Sequence, residues 1–100
     1  MPAKSPKPSL TESENVAAQA FYFLCDERGR IERFLRLTGL DAADLPELSG
    51  ELSFLAGVLD HLLGDEALLL TFCANRGIEP ESIAAAQQHL NKISDEESET

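Results

Sequence analysis

Apolar residues recur along this chain at intervals of three and four rather than two, the spacing of one helix face and not of a strand. The densest run is Leu52 to Ala74, LSFLAGVLDHLLGDEALLLTFCA, with eight leucines and two phenylalanines. Within it Leu52, Leu55, Leu59 and Leu62 form a stripe that Phe54, Val58 and Leu63 widen, and Leu68, Leu69, Leu70, Phe72 and Cys73 supply a second. Gly64 and Asp65 separate the two stripes, which reads as a left-handed glycine ending one helix and an aspartate N-cap opening the next. The pattern predicts two core helices, over 52–63 and 65–77, at the centre of the fold.

The flanking chain has the same period. Thr11-Glu12-Ser13-Glu14 is a capping box that predicts Thr11 as N-cap, and Val16, Ala17, Ala20, Phe21, Phe23 and Leu24 line the helix that follows. Asp26 is placed to cap a second helix ending at Thr38 before Gly39, with Ile31, Phe34, Leu35 and Leu37 inward and Arg28, Glu32 and Arg36 outward. Pro46 removes a backbone donor inside the short apolar pattern from Leu40 to Leu48, so a broken third element is expected. Ser49 or Gly50 opens the fourth helix. Pro80 stands at the first position of a sixth, lined by Ile83, Ala86, Leu90 and Ile93. The expected protein is all-α, a single compact orthogonal bundle of five to six short helices over 10–93. It lies between a disordered N-terminal tail (1–9) and a disordered acidic tail (94–100).

One arrangement occurs twice. Phe34 to Gly39 followed by Leu40, Asp41 and Leu45 is echoed by Phe72 to Gly77 followed by Ile78, Glu79 and Ile83. Both predict a helix closed by a left-handed glycine, an apolar residue tucked under its end, and an acid before the next helix. The series Phe34-Leu35-Arg36-Leu37-Thr38-Gly39-Leu40-Asp41, then Phe54-Leu55 with Val58-Leu59-Asp60, then Asp65-Glu66-Ala67-Leu68-Leu69, resembles a bacterial family classed as domain of unknown function 3572. The resemblance spans about Ala17 to Leu90 and implies a compact helical protein with no assigned activity, so it carries over no site residues. Where family members often have Asp-Pro, this chain has Asp41-Ala42, a departure that bears on the start of the third element.

Charge narrows the functions. Eighteen acids against eight bases give a formal charge of −10; without the first nine and last seven residues, fourteen acids and six bases remain. No Lys or Arg occurs between Arg36 and Arg76. Nucleic acid and anionic membrane are therefore disfavoured as partners, since affinity for phosphate comes from Lys and Arg. A membrane span over 52–74 is rejected because Asp60, Asp65 and Glu66 would each cost about 2.5 to 3.5 kcal/mol at the bilayer centre. The opening residues MPAKSPKPSL lack the apolar run of a signal peptide, so a cytoplasmic location is expected.

Candidate chemistry is sparse. Cys25 and Cys73 lie in apolar helix patterns and form no C-x-x-C pair, which reads as two buried reduced thiols. His61 beside Asp60 and four residues before Asp65 reads as a solvent-facing histidine near a helix C-terminus, and His89 as a flank residue. With no phosphate loop, H-E-x-x-H or nucleophile elbow, no enzymatic activity is expected and no catalytic, cofactor-binding or metal residue is assigned. Two surfaces remain. Arg28, Arg30, Arg33 and Arg36 form a candidate docking patch for an acidic partner or a phosphate, whose charge reversal at Arg30 and Arg33 should leave melting unchanged. Consecutive Leu68, Leu69 and Leu70 point about 100° apart on a helix, so one needs cover from another element or another chain, as in a homodimer. The expected function is a cytoplasmic protein-interaction or adaptor domain with an unidentified protein partner. The alternative is a nucleic-acid regulator, either an acidic DNA mimic or a helix-turn-helix reader.

Overall fold

The computed structural model describes residues 8–98. Six helices succeed one another: α1 (Leu10–Cys25), α2 (Arg28–Thr38), α3 (Leu45–Leu48), α4 (Leu52–Leu63), α5 (Glu66–Arg76) and α6 (Pro80–Ser98), with a 3-10 turn at Ala42–Asp44 before α3. The protein is an all-α bundle. Among the described residues there is no strand, and no helix is long and apolar enough to cross a membrane.

The first helix begins two residues earlier than the pattern at Thr11 implied. Ser9 Oγ accepts from the Glu12 amide at 3.1 Å and a Glu12 carboxylate oxygen accepts from the Ser9 amide at 2.9 Å, a reciprocal box. Both Ser9-x-x-Glu12 and Thr11-x-x-Glu14 satisfy the pattern; the earlier start brings Leu10 into the first turn, where it packs on the core. Along α1 the fully buried positions Ser13, Ala17, Ala20 and Leu24 repeat at four, three and four residues. Three of them are small, so α4 and α6 can lie close against this helix.

The central helix is α4, packed against α1 and α6; α5 is peripheral, a correction to the expected central pair. Only Phe72 and Cys73 of α5 are buried, whereas α4 buries Phe54, Leu55, Ala56, Val58, Leu59 and Leu62. A run of leucines raises the hydropathy of α5 without deciding which neighbours reach it. Edge-to-face aromatic contacts bind the layers: Phe21 on Phe54 with centroids 5.4 Å apart, Phe34 on Phe54 at 5.9 Å, and Phe23 tilted on Phe72 at 5.2 Å. Each such pair contributes about 0.5 to 1.5 kcal/mol beyond the area it buries.

Gly39 and Gly77 close α2 and α5 with φ of 77° and 69°, and their amides donate to Leu35 O and Cys73 O at 2.9 Å. The Ile78 amide also reaches Cys73 O at 3.1 Å, and Leu40 and Ile78 pack against the core. The repeated arrangement is thus one capping solution used twice. Gly64 departs from it, with φ −83°: its amide donates to Asp60 O at 2.9 Å, and the extended Asp65 turns the chain. Asp65 does cap α5, accepting from the Leu68 amide at 3.2 Å.

Other caps differ as well. Asp26 is the C-cap of α1 and bonds Arg76, while Glu27 precedes α2 without a side-chain cap and pairs with Arg30 instead. Ser49 donates its hydroxyl to Pro46 O at 3.1 Å, and Glu51, not Ser49 or Gly50, precedes α4. Leu37, expected inward, is 60% exposed. The last helix runs on through Ser98 rather than stopping near Ile93, since Ile93 and Ser94 are half-buried and keep the chain on the bundle. Of the N-terminal segment read as a disordered tail, residues 1–7 lie outside the described residues, and so do 99–100 at the other end.

Candidate interaction surfaces

The four arginines of α2 do not act as one patch. Arg28, Arg33 and Arg36 are exposed, and Arg28 reaches Glu32 only at 3.9 Å with 89% of its side chain in solvent. Arg30 is turned inward: its guanidinium carbon lies 3.9 Å from the Phe23 ring centroid, and the group donates to Phe23 O at 3.2 Å and pairs with Glu27 at 3.5 Å. Its side chain is 21% exposed. Arg30 therefore clamps the start of α2 to the end of α1, with a ring face, a carbonyl and a carboxylate around one cation.

The three leucines of α5 also divide. Leu68 and Leu69 are half-buried against the core, and Leu70 is 49% exposed. The outward face carries Ala67, Leu70, Thr71 and Ala74, all exposed, with the Thr71 hydroxyl turned back to Ala67 O at 2.8 Å.

A third surface was not picked out from the residue pattern. Between the C-terminal half of α2 and the N-terminal half of α4 lies an apolar hollow of about 230 Å³. Phe34 and Thr38 line it from α2, Leu40 and Leu48 from the connecting segment, and Phe54, Gly57 and the exposed Ser53 from α4. Beyond the neighbouring residues and backbone of its own helix, nothing lies within 4 Å of the place a Cβ on Gly57 would occupy, so the missing side chain leaves the hollow open. Ligand pockets usually run to roughly 300 to 1,000 Å³, so this one fits one or two side chains rather than a cofactor. The pointer in the chain was Gly57 itself, a helix-disfavouring residue in the middle of the most apolar helix.

The titratable groups offer little chemistry. His61 is half-buried rather than solvent-facing: its ring meets Phe34 edge-on at 5.2 Å, and its Nε2 is buried without a partner. Burial holds its pKa below the ordinary 6.5, with Asp65 pulling the other way and Arg33 reinforcing. Cys25 is exposed, correcting its expected burial, and Cys73 is buried. Burial raises both thiol pKa values, helped by Asp26 and by Glu81 respectively, so neither is an activated nucleophile. Among the described residues no three His, Cys, Asp or Glu side chains are grouped to hold a metal.

The family model described as Protein of unknown function (DUF3572) matches residues 11–92. The chain belongs to this family. The matched residues take in the Arg30 clamp, the outward face of α5 and every residue named around the hollow. No curated protein and no solved structure matches the chain.

Proposed function

We propose that this member of the DUF3572 family is a protein-interaction domain that receives a bulky apolar side chain of a partner in the hollow between α2 and α4. The observation that carries this reading is the open floor at Gly57, bordered by Phe34, Phe54, Leu40 and Leu48. An apolar recess of that size at a helix junction suits an anchoring side chain, the element that dominates most interface energies. A cytoplasmic setting accords with two free thiols.

Two other uses have less support. Homodimerisation through α5 would rest on the outward face of an eleven-residue helix on which Leu70 is the one large apolar side chain, whereas a stable interface takes roughly 800 Å² per partner. A helix-turn-helix reader needs cations on its recognition helix, and the outward face of α5 bears Ala67, Leu70, Thr71 and Ala74.

Filling the recess tests the proposal. Gly57→Leu places a side chain where there is space, so melting should stay within a few degrees of wild type. Tagged wild-type and Gly57→Leu proteins would be compared for the proteins each retains from a native cell extract, with bound species quantified. At least one abundant species should be lost with the variant; identical sets would refute a docking role for the hollow.

A further inference from the structure

We infer that the segment received by this hollow is cationic: an amphipathic stretch of a partner protein whose apolar anchor is flanked by Lys or Arg. This inference rests on the docking role proposed above and adds the chemistry of the partner. The segment joining α2 to α4 supplies Leu40 and Leu48 to the hollow and carries four acids, Asp41, Asp44, Glu47 and Glu51, with no base among them. All four are exposed. Asp41 is occupied as a cap for the Ala43 amide; Asp44, Glu47 and Glu51 form no ion pair among the described residues. In the chain Asp41 follows Leu40, Glu47 precedes Leu48 and Asp44 lies between them, while Glu51, just before α4, borders a separate hollow with Leu10 and Glu14.

The nearest arginines look elsewhere. At 100° per residue, Thr38 lies about 40° round α2 from Phe34, and these two define the side facing the hollow. Arg33 lies about 100° to the other side of Phe34 and Arg36 about 200° away. An entering segment thus meets an apolar floor beside a connecting segment that carries four exposed carboxylates and no base. Like charge on the segment would be repelled, and a cation would find unpaired carboxylates.

The test uses the full chain and a short amphipathic Lys/Leu helical peptide carrying one Trp. The protein has no Trp of its own, so peptide emission reports burial directly. Versions of the peptide with Gln or Glu in place of Lys separate the apolar from the charged contribution. A cationic peptide is drawn weakly to any protein of this charge, so two triple variants with equal change of net charge are compared. One removes acids of the connecting segment (Asp44→Asn, Glu47→Gln, Glu51→Gln) and the other removes acids on α6 (Glu81→Gln, Asp95→Asn, Glu96→Gln).

The expected result is a blue-shifted Trp and affinity for the Lys peptide that falls about tenfold in the connecting-segment triple but less than about twofold in the α6 triple. The Glu peptide should bind at least about tenfold more weakly than the Lys peptide, with the Gln peptide between them. Gly57→Leu, and independently Ser53→Phe at the mouth, should weaken the Lys and Gln peptides, with circular dichroism confirming that both variants fold. If both blocking variants weaken binding but the two triples behave alike, or the Glu peptide binds as well, the cationic partner is overturned and the hollow stands. If neither blocking variant changes binding of any peptide, the docking reading itself fails. A dimer of the chain alone that the blocking variants dissociate would assign the hollow to a second copy and overturn the inference.

Discussion

Replacing Arg30 with alanine separates a clamp from a surface charge. The substitution removes a cation 3.9 Å from the Phe23 ring centroid, a donor to Phe23 O at 3.2 Å and an ion pair to Glu27 at 3.5 Å. Taken singly these contribute about 0.5 to 2 kcal/mol for the cation over the ring, about 1.5 to 3 for a charged donor, and about 0 to 1 for the exposed pair. The three share one guanidinium that is still one-fifth in water, so they do not add, and a total of about 2 kcal/mol follows. In a domain of this size that lowers Tm by about 8 to 16 °C. Arg33→Ala and Arg36→Ala, both at exposed positions, should stay within about 0.5 kcal/mol of wild type. Reversible urea unfolding followed by far-UV circular dichroism measures all three. A double-mutant cycle of Arg30→Ala with Phe23→Leu should then return a coupling of about 1 kcal/mol. Unchanged stability in Arg30→Ala, or no coupling to Phe23, would refute the clamp and return Arg30 to the exposed arginines.

Three further outcomes are expected. Ser13→Ala should raise stability by about 1 kcal/mol in the same unfolding assay, because the Ser13 hydroxyl is fully buried without a partner and Ala is the better helix former. Gly39→Ala and Gly77→Ala should each cost about 1 to 2 kcal/mol, since φ of 77° and 69° drives a Cβ against its own backbone. Below pH 6.5 the unfolded chain protonates His61 more readily than the folded one, so stability should fall as pH is lowered from 6.5 towards the depressed folded value and stay flat above it. His61→Gln should remove that component when the two pH profiles are subtracted.

What could be read along the chain and what could not divide by the range of the forces involved. Gly39, Gly77, Pro80 and Asp65 were legible because each acts on its own backbone, through a left-handed φ, a missing donor or a short side chain that accepts from an amide. Family membership was legible too, from the series Phe34 to Asp41, Phe54-Leu55, Val58 to Asp60 and Asp65 to Leu69, all within the matched residues. The layer order was not. Ser13, Ala17 and Ala20 let α1 pack closely on α4 and α6 by being small, and smallness carries no hydrophobic signal, whereas Leu70 has one and is half in solvent. Arg30 was grouped with its neighbours because a long flexible side chain can leave its helix in either direction, and only the position of Phe23 on another helix decides which. The hollow is formed by residues from three segments, and its defining element is a side chain that Gly57 lacks.

The peripheral place of α5 bears on how the bundle comes apart. This helix is held by Phe72 and Cys73 on its inner side, by half-buried Leu68 and Leu69, by the Asp65 cap and Gly77 turn at its ends, and by the Arg76–Asp26 pair at 3.3 Å. It is packed less closely than α1, α4 and α6 are on one another, so it can lift while those three stay together, a sub-global opening rather than full unfolding. The two cysteines make that opening countable. Cys25 is accessible at all times, whereas Cys73 is 8% exposed and opens fully to solvent when α5 lifts. Under a thiol-alkylating reagent in native buffer, Cys25 should react first and Cys73 at a rate set by the opening. That rate should match amide exchange in α5 and exceed the rate of exchange in α4.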